Sequence, residues 1–175
     1  MTLSKKIAFL TVFVIIGTNL YSQESGLTFK PFFGGGGMTV VFDGTGYGLG
    51  GYGEFAFLFY ENGLQISNHL IGMGEGINGA SENDYGRGSI IDKISFGGLL
   101  ENNKLRTYAF IEGGVGFGSR NETADINIIW GGGGGIDFFF HKNGSIYLES
   151  GYLQHHSDNM LFGGGSISIG TRGYF

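Results

Sequence analysis

Apolar and polar residues alternate along most of the chain, most clearly in the last twelve residues, Gly164 to Phe175. Successive side chains of a β-strand point to opposite faces. One face of this segment is therefore uncharged, whereas the other carries Arg172. An apolar outward face, an inward charge and an aromatic carboxyl terminus are typical of the closing strand of a bacterial outer-membrane barrel.

Similar alternation occurs in eight stretches separated by turn signals. No apolar stretch of the mature chain is long enough to form a transmembrane helix. The predicted fold class is all-β, a single eight-stranded antiparallel up-and-down transmembrane β-barrel. Short turns at every second junction would face the periplasm, and the polar, glycine-rich segment 74–87 would be an outer loop. The predicted strands are 27–42, 46–60, 63–73, 88–100, 104–118, 125–140, 144–156 and 161–175.

The amino terminus has the pattern of a secretory signal peptide, because Lys5 and Lys6 precede an apolar run from Ile7 to Ile16. We predict a signal peptide at 1–23 and a barrel domain at 24–175. The predicted location is the outer membrane of a Gram-negative-type bacterium.

Charge and composition exclude several classes of partner. Cleavage of the predicted signal peptide would remove Lys5 and Lys6 and change the formal net charge from −5 to −7. The remaining chain has no run of basic residues that could bind nucleic acid. The chain has no cysteine, which excludes disulfides and thiolate metal sites. We expect the protein to bind no cofactor and to be a monomer. The expected partners are outer-membrane lipid, with lipid A as one candidate, and the barrel-assembly machinery, which would recognise the last strand ending at Phe175.

Glycine accounts for 37 of the 175 residues and lies within apolar, aromatic stretches. Such glycines allow the bends and close backbone approaches that a small barrel requires. No glycine run is followed by the lysine and hydroxyl residue of a phosphate-binding loop.

The alternation assigns a nearly balanced set of charges to the lumen. An eight-stranded barrel is just wide enough for side chains to fill its interior, so we expect ion pairs that plug the lumen and a structural or surface-exposed role. A narrow pore is an alternative. Adjacent Asp92 and Lys93 must face opposite sides, and we expect them near the outer interface. The predicted lumen charges are Lys30, Glu54, Arg106, Glu112, Asp137, Glu149 and Arg172.

One motif indicates chemistry. His155 and Ser157 share a strand face at the outer end of the predicted seventh strand, where the histidine could accept the serine proton. A lipid-facing His155 would bring Glu149 into the bilayer unless a bulge at Ser150 and Gly151 reverses the alternation. Metal binding by His155, His156 and Asp158 is disfavoured, because adjacent strand residues point apart.

The carboxyl-terminal third resembles the PagL-type lipid A 3-O-deacylase family, whose seventh strand ends in an H-x-S-N element. The matching residues are His155, His156, Ser157 and Asp158, with aspartate in place of asparagine. The resemblance implies a serine esterase with His155 as base and Ser157 as nucleophile. The family's acidic orienting residue is matched here by a glycine, so Asp158 is the candidate to replace it.

Overall fold

The computed structural model describes residues 28–42, 46–61, 64–79, 85–100, 104–120, 123–141, 143–156 and 161–174. Eight antiparallel strands follow one another around a closed barrel, in which β8 pairs with β1. This confirms the predicted fold class. The strands are β1 (Thr28–Phe42), β2 (Gly46–Glu61), β3 (Leu64–Gly79), β4 (Tyr85–Leu100), β5 (Leu105–Arg120), β6 (Thr123–His141), β7 (Gly144–His156) and β8 (Leu161–Tyr174). The predicted signal peptide lies outside the described residues, within which no helix is long and apolar enough to cross a membrane.

Large apolar side chains face outward, and charged side chains face inward. Ile128 is 53% exposed and Ile169 54% exposed, whereas Arg106 and Arg172 are buried. Ile111 and Phe117 of β5 and Trp130 of β6 also lie on the outer face. This arrangement is the reverse of that in a water-soluble barrel.

Strands β3 and β4 are longer than the alternation predicted. Residues 74–79 and 85–87 belong to the strands, so the prediction of a loop over 74–87 was too wide. The outward positions here are glycines, such as Gly74 and Gly88. Large apolar residues, which mark the outward face elsewhere, are therefore missing from this part of the alternation. The inward positions Glu75 and Arg87 are buried in the lumen.

Asp92 and Lys93 face opposite sides but lie in the middle of the 16-residue strand β4. The expectation that they lie near the outer interface was wrong. Lys93 is buried in the lumen. The outward Asp92 carboxylate accepts a hydrogen bond from Asn68 Nδ2 on β3 at 2.8 Å, which compensates part of its desolvation.

Strand β1 contains an irregularity at its glycine run. The register to both neighbouring strands shifts between Gly34 and Gly37. Gly36 has a φ of 101°, a conformation that strains any residue with a side chain. The run therefore fixes a bulge where β1 joins β2 and β8.

The first prediction concerns the outward face. Arginine in place of Ile169, which points outward from the middle of β8, should lower the free energy of unfolding by about 2–4 kcal/mol, because it would lie in the hydrocarbon layer. Urea titration of folding in lipid vesicles measures the change. Ile169→Leu is the matched control and should be nearly neutral. An arginine as well tolerated as leucine would show that this face does not contact lipid.

Candidate functional site

The inward side chains form layers along the barrel axis. We call the end where β2 meets β3 the proximal end, and the end where β3 meets β4 the distal end. Along β3 the inward residues run from His69 through Met73 to Glu75. On the antiparallel strand β4 the inward residues run in the opposite direction, from Arg87 at the distal end to Lys93 nearer the proximal end. Two polar clusters are therefore separated by an apolar layer.

Arg172 on β8 lies at the centre of the proximal cluster and contacts three carboxylates. Its Nε donates to Glu54 Oε1 at 2.7 Å, its Nη1 to Asp137 Oδ1 at 2.7 Å, and its Nη2 to Glu149 Oε1 at 2.9 Å. The guanidinium carbon lies 3.9 Å from the centre of the Tyr147 ring. These contacts join β8 to β2, β6 and β7 across the lumen.

Two further cations complete this proximal network. Lys93 Nζ donates to both carboxylate oxygens of Glu149, at 2.8 and 2.9 Å. Arg106 Nη1 donates to Asp137 Oδ2 at 3.3 Å. Glu149 and Asp137 thus each bridge Arg172 to a second cation.

His69 also belongs to the proximal network. Its Nδ1 lies 3.0 Å from Glu54 Oε2, and its Nε2 lies 2.8 Å from Ser67 Oγ. A neutral ring with the proton on Nδ1 satisfies both contacts, because Nδ1 then donates to the carboxylate and Nε2 accepts from the hydroxyl.

The distal cluster is centred on Arg87. Its Nη1 donates to Asn127 Oδ1 at 2.8 Å, and its Nη2 lies 2.7 Å from Glu75 Oε2, an ion pair without hydrogen-bond geometry. Arg87 Nη2 also lies 3.1 Å from His155 Nε2. The His155 ring stacks on Phe162, and its buried Nδ1 has no hydrogen-bond partner among the described residues.

His155 therefore lies in the lumen, on the same face as Glu149. The pairing of β7 with both neighbours continues without a shift between these two residues, so there is no bulge at Ser150 and Gly151. His156 is exposed on the outer face. Ser157 and Asp158 lie outside the described residues, and their roles stay predictions.

The structure brings together five of the seven charges that the sequence assigned to the lumen, namely Glu54, Arg106, Asp137, Glu149 and Arg172. Glu112 faces a small cavity between the strands. Lys30 lies in β1, but its side chain is not among those that the structure describes.

Sequence reasoning missed three lumen charges, Glu75, Arg87 and Lys93. The first two fell in the predicted loop, although the inward positions Glu75 and Ile77 continue the alternation of β3. Lys93 was left out of the lumen set, because Asp92 and Lys93 are adjacent and both charged, so the sequence analysis placed them on opposite faces without deciding which of the two faces inward.

Glycines make room for several of the large lumen side chains. A Cβ at Gly135 would lie 2.5 Å from Tyr108 Cζ, and one at Gly170 would lie 2.5 Å from the Tyr147 hydroxyl. The Tyr108 hydroxyl accepts from Arg172 and donates to Glu149. Inward glycines thus position the rings that surround the central guanidinium.

Comparisons with known proteins bear on the fold. No protein-family model and no curated protein sequence matches the chain. Among solved structures, the crystal structure of Neisserial surface protein A (NspA) has a TM-score of 0.59 at 15% identity, covering 86% of this chain and 100% of that one. The chain is similar in fold to NspA. The crystal structure of Ail, the attachment invasion locus protein of Yersinia pestis, has a TM-score of 0.42 at 13% identity, covering 85% of this chain and 97% of that one.

The second prediction concerns Arg172. Methionine at this position would leave three buried carboxylates without their shared cation, and the free energy of unfolding should fall by about 3–5 kcal/mol. Arg172→Lys keeps the charge but cannot reproduce the forked contacts, so an intermediate loss is expected. Urea titration in lipid vesicles measures both. A loss below about 1 kcal/mol for Arg172→Met would show that the network does not hold the barrel closed.

The third prediction concerns the glycine opposite Tyr108. Gly135→Ala should destabilise the barrel by about 1–3 kcal/mol, because the added methyl overlaps the ring. Gly134→Ala is the matched control, since a Cβ there lies 3.5 Å from its nearest neighbour, an ordinary contact. Equal effects of the two substitutions in the same titration would contradict the packing argument.

Proposed function

We propose that the chain is an integral outer-membrane β-barrel protein with a plugged lumen and a structural or surface-exposed role. The observation that carries the proposal is the buried proximal network centred on Arg172, which occupies the interior beneath an apolar outer face.

The distribution of polarity supports a membrane location. An apolar surface that encircles the barrel would favour aggregation in water. In the hydrocarbon core of a bilayer, the same surface contacts lipid chains and is shielded from water. Closure of the barrel pairs the edge strands β1 and β8, as a bilayer requires. The predicted signal peptide at 1–23 supports export, and the proposed location is the outer membrane of a Gram-negative-type bacterium, with its assembly machinery and its lipid as partners.

The filled interior favours a plug over a narrow pore. The proximal network is bordered by inward apolar side chains, among them Ile71, Ile91 and Leu153. An ion crossing the lumen would have to separate buried ion pairs and then pass this apolar layer. Both steps require removal of charges from their partners or from water.

The fourth prediction concerns the conductance of the barrel, which recording in planar bilayers measures. The folded barrel, identified by the shift in its gel migration on heating, should give no conductance steps. Conductance that changes when Arg106, Glu112 or Arg172 is neutralised would favour the narrow pore instead.

A lipid A deacylase is the second candidate, and the motif at His155 and Ser157 is the observation that favours it. Against it, the His155 ring contacts Arg87 in the lumen. Mass spectrometry of lipid A from cells expressing the parent or Ser157→Ala distinguishes the two functions. Under the structural proposal both strains retain the same acyl chains. Loss of one ester-linked chain with the parent alone would establish the esterase.

A further inference from the structure

The outer face of strands β3 and β4 carries a polar pair at a level where a barrel in a bilayer faces hydrocarbon. Asp92 lies in the middle of β4, and its carboxyl group accepts a hydrogen bond from Asn68 Nδ2 of β3 at 2.8 Å. The neighbouring outward residues Leu70, Ile90 and Phe96 are exposed apolar side chains. An ionisable side chain in such surroundings is costly, and residues of this kind mark functional contacts.

The hydrogen bond between Asn68 and Asp92 leaves further hydrogen-bonding capacity on both side chains. In the part of the chain that the structure describes, it is the only hydrogen bond between side chains that either residue makes. The Asn68 amide has a second N–H and a carbonyl oxygen, and Asp92 has a second carboxyl oxygen. Lipid chains cannot bond to these groups. The pair therefore presents a donor and acceptors to a neighbour in the membrane.

Glycines adjoin this pair on the outer face. Gly72 and Gly74 occupy the outward positions of β3 on the distal side of the pair, Gly53 lies beside Gly72 on β2, and Gly113 lies beside Asp92 on β5. A Cβ added at Gly53, Gly72 or Gly74 would have no heavy atom within 4 Å, so these positions are open. Small residues let a second protein surface approach the backbone closely. We call Asn68, Asp92 and these four glycines the outer patch.

We propose that the outer patch is the contact between two copies of this chain, which lie side by side in the membrane. The inference rests on the membrane location proposed above. In a two-fold dimer the same surface of each copy forms the contact, so that surface must be complementary to itself. Asn68 of each copy donates its second N–H to Asp92 of the other copy. The proposed dimer differs from the monomer that we expected from the sequence.

The composition of the outer patch favours a second copy over a different partner. A carboxyl group alone on the outer face would require a cation or donor from another protein. Here a carboxamide that donates lies next to the carboxyl group that accepts, so an identical surface supplies what each group needs. The two Asp92 carboxyl groups need not touch, because each faces an amide of the other copy.

The fifth prediction tests this contact in lipid vesicles. Lys104→Cys, at an exposed turn position, is labelled with a donor or an acceptor dye, and the chain has no other cysteine. Energy transfer between folded barrels should exceed the level of random proximity and reach a plateau as the protein-to-lipid ratio rises. Gly74→Ile fills the outer patch at a position that is open in the single barrel, and it should reduce the transfer to the random level.

Gly134→Ile is the matched control, because it adds the same side chain to the outer face of β6, away from the outer patch. It should leave the transfer unchanged. Asn68→Leu removes both reciprocal hydrogen bonds and should raise the apparent dissociation constant of the dimer about tenfold. Asp92→Asn keeps the shape and a hydrogen-bond acceptor, so it should weaken the association less than Asn68→Leu does.

The outcomes separate the dimer from the membrane location on which it rests. Random transfer for the parent, with the heat-modifiable barrel inserted in the vesicles, would overturn the dimer and leave the membrane location intact. Equal transfer in the parent, Gly74→Ile and Asn68→Leu would assign the association to another face and overturn the proposal. A folded barrel that does not insert would overturn the membrane location and the dimer with it.

Discussion

Every charged side chain that enters the lumen leaves water, so this barrel is stable only if each buried charge meets a partner. Arg172 meets this constraint for three strands at once, because its three nitrogens contact carboxylates from β2, β6 and β7. Lys93 and Arg106 then neutralise the charge that one guanidinium cannot. The interior is consequently a network, in which removal of one member changes the charge balance around several others.

The narrow interior explains why so many glycines accompany these large side chains. Eight strands enclose little more than the volume of their own inward side chains. A tyrosine ring such as that of Tyr108 can reach the centre only where a neighbouring strand carries no Cβ, as at Gly135. Glycine content and lumen charge are therefore two parts of one packing solution.

The fold could be predicted from the sequence because a period of two is a local property that each strand shows by itself. It placed Ile169 and Arg172 on opposite faces of β8 without knowledge of any other strand. It failed at residues 74–79, where outward glycines removed the apolar signal although Glu75 still faces inward. It also could not show that Lys93 contacts Glu149 rather than its direct neighbour Glu112, because contacts across the lumen depend on side-chain reach.

The inward orientation of His155 follows from the same alternation. Glu149 and His155 lie an even number of residues apart, and the uninterrupted pairing of β7 keeps both in the lumen. The two ends of the lumen are held differently, however. Proximal carboxylates accept hydrogen bonds from Arg172 and Lys93, whereas the distal Glu75 carboxylate has an ion pair without hydrogen-bond geometry. The distal ion pair borders the apolar layer that includes Ile129 and Phe162, so at this end the burial of apolar side chains adds to the stability that the charges provide.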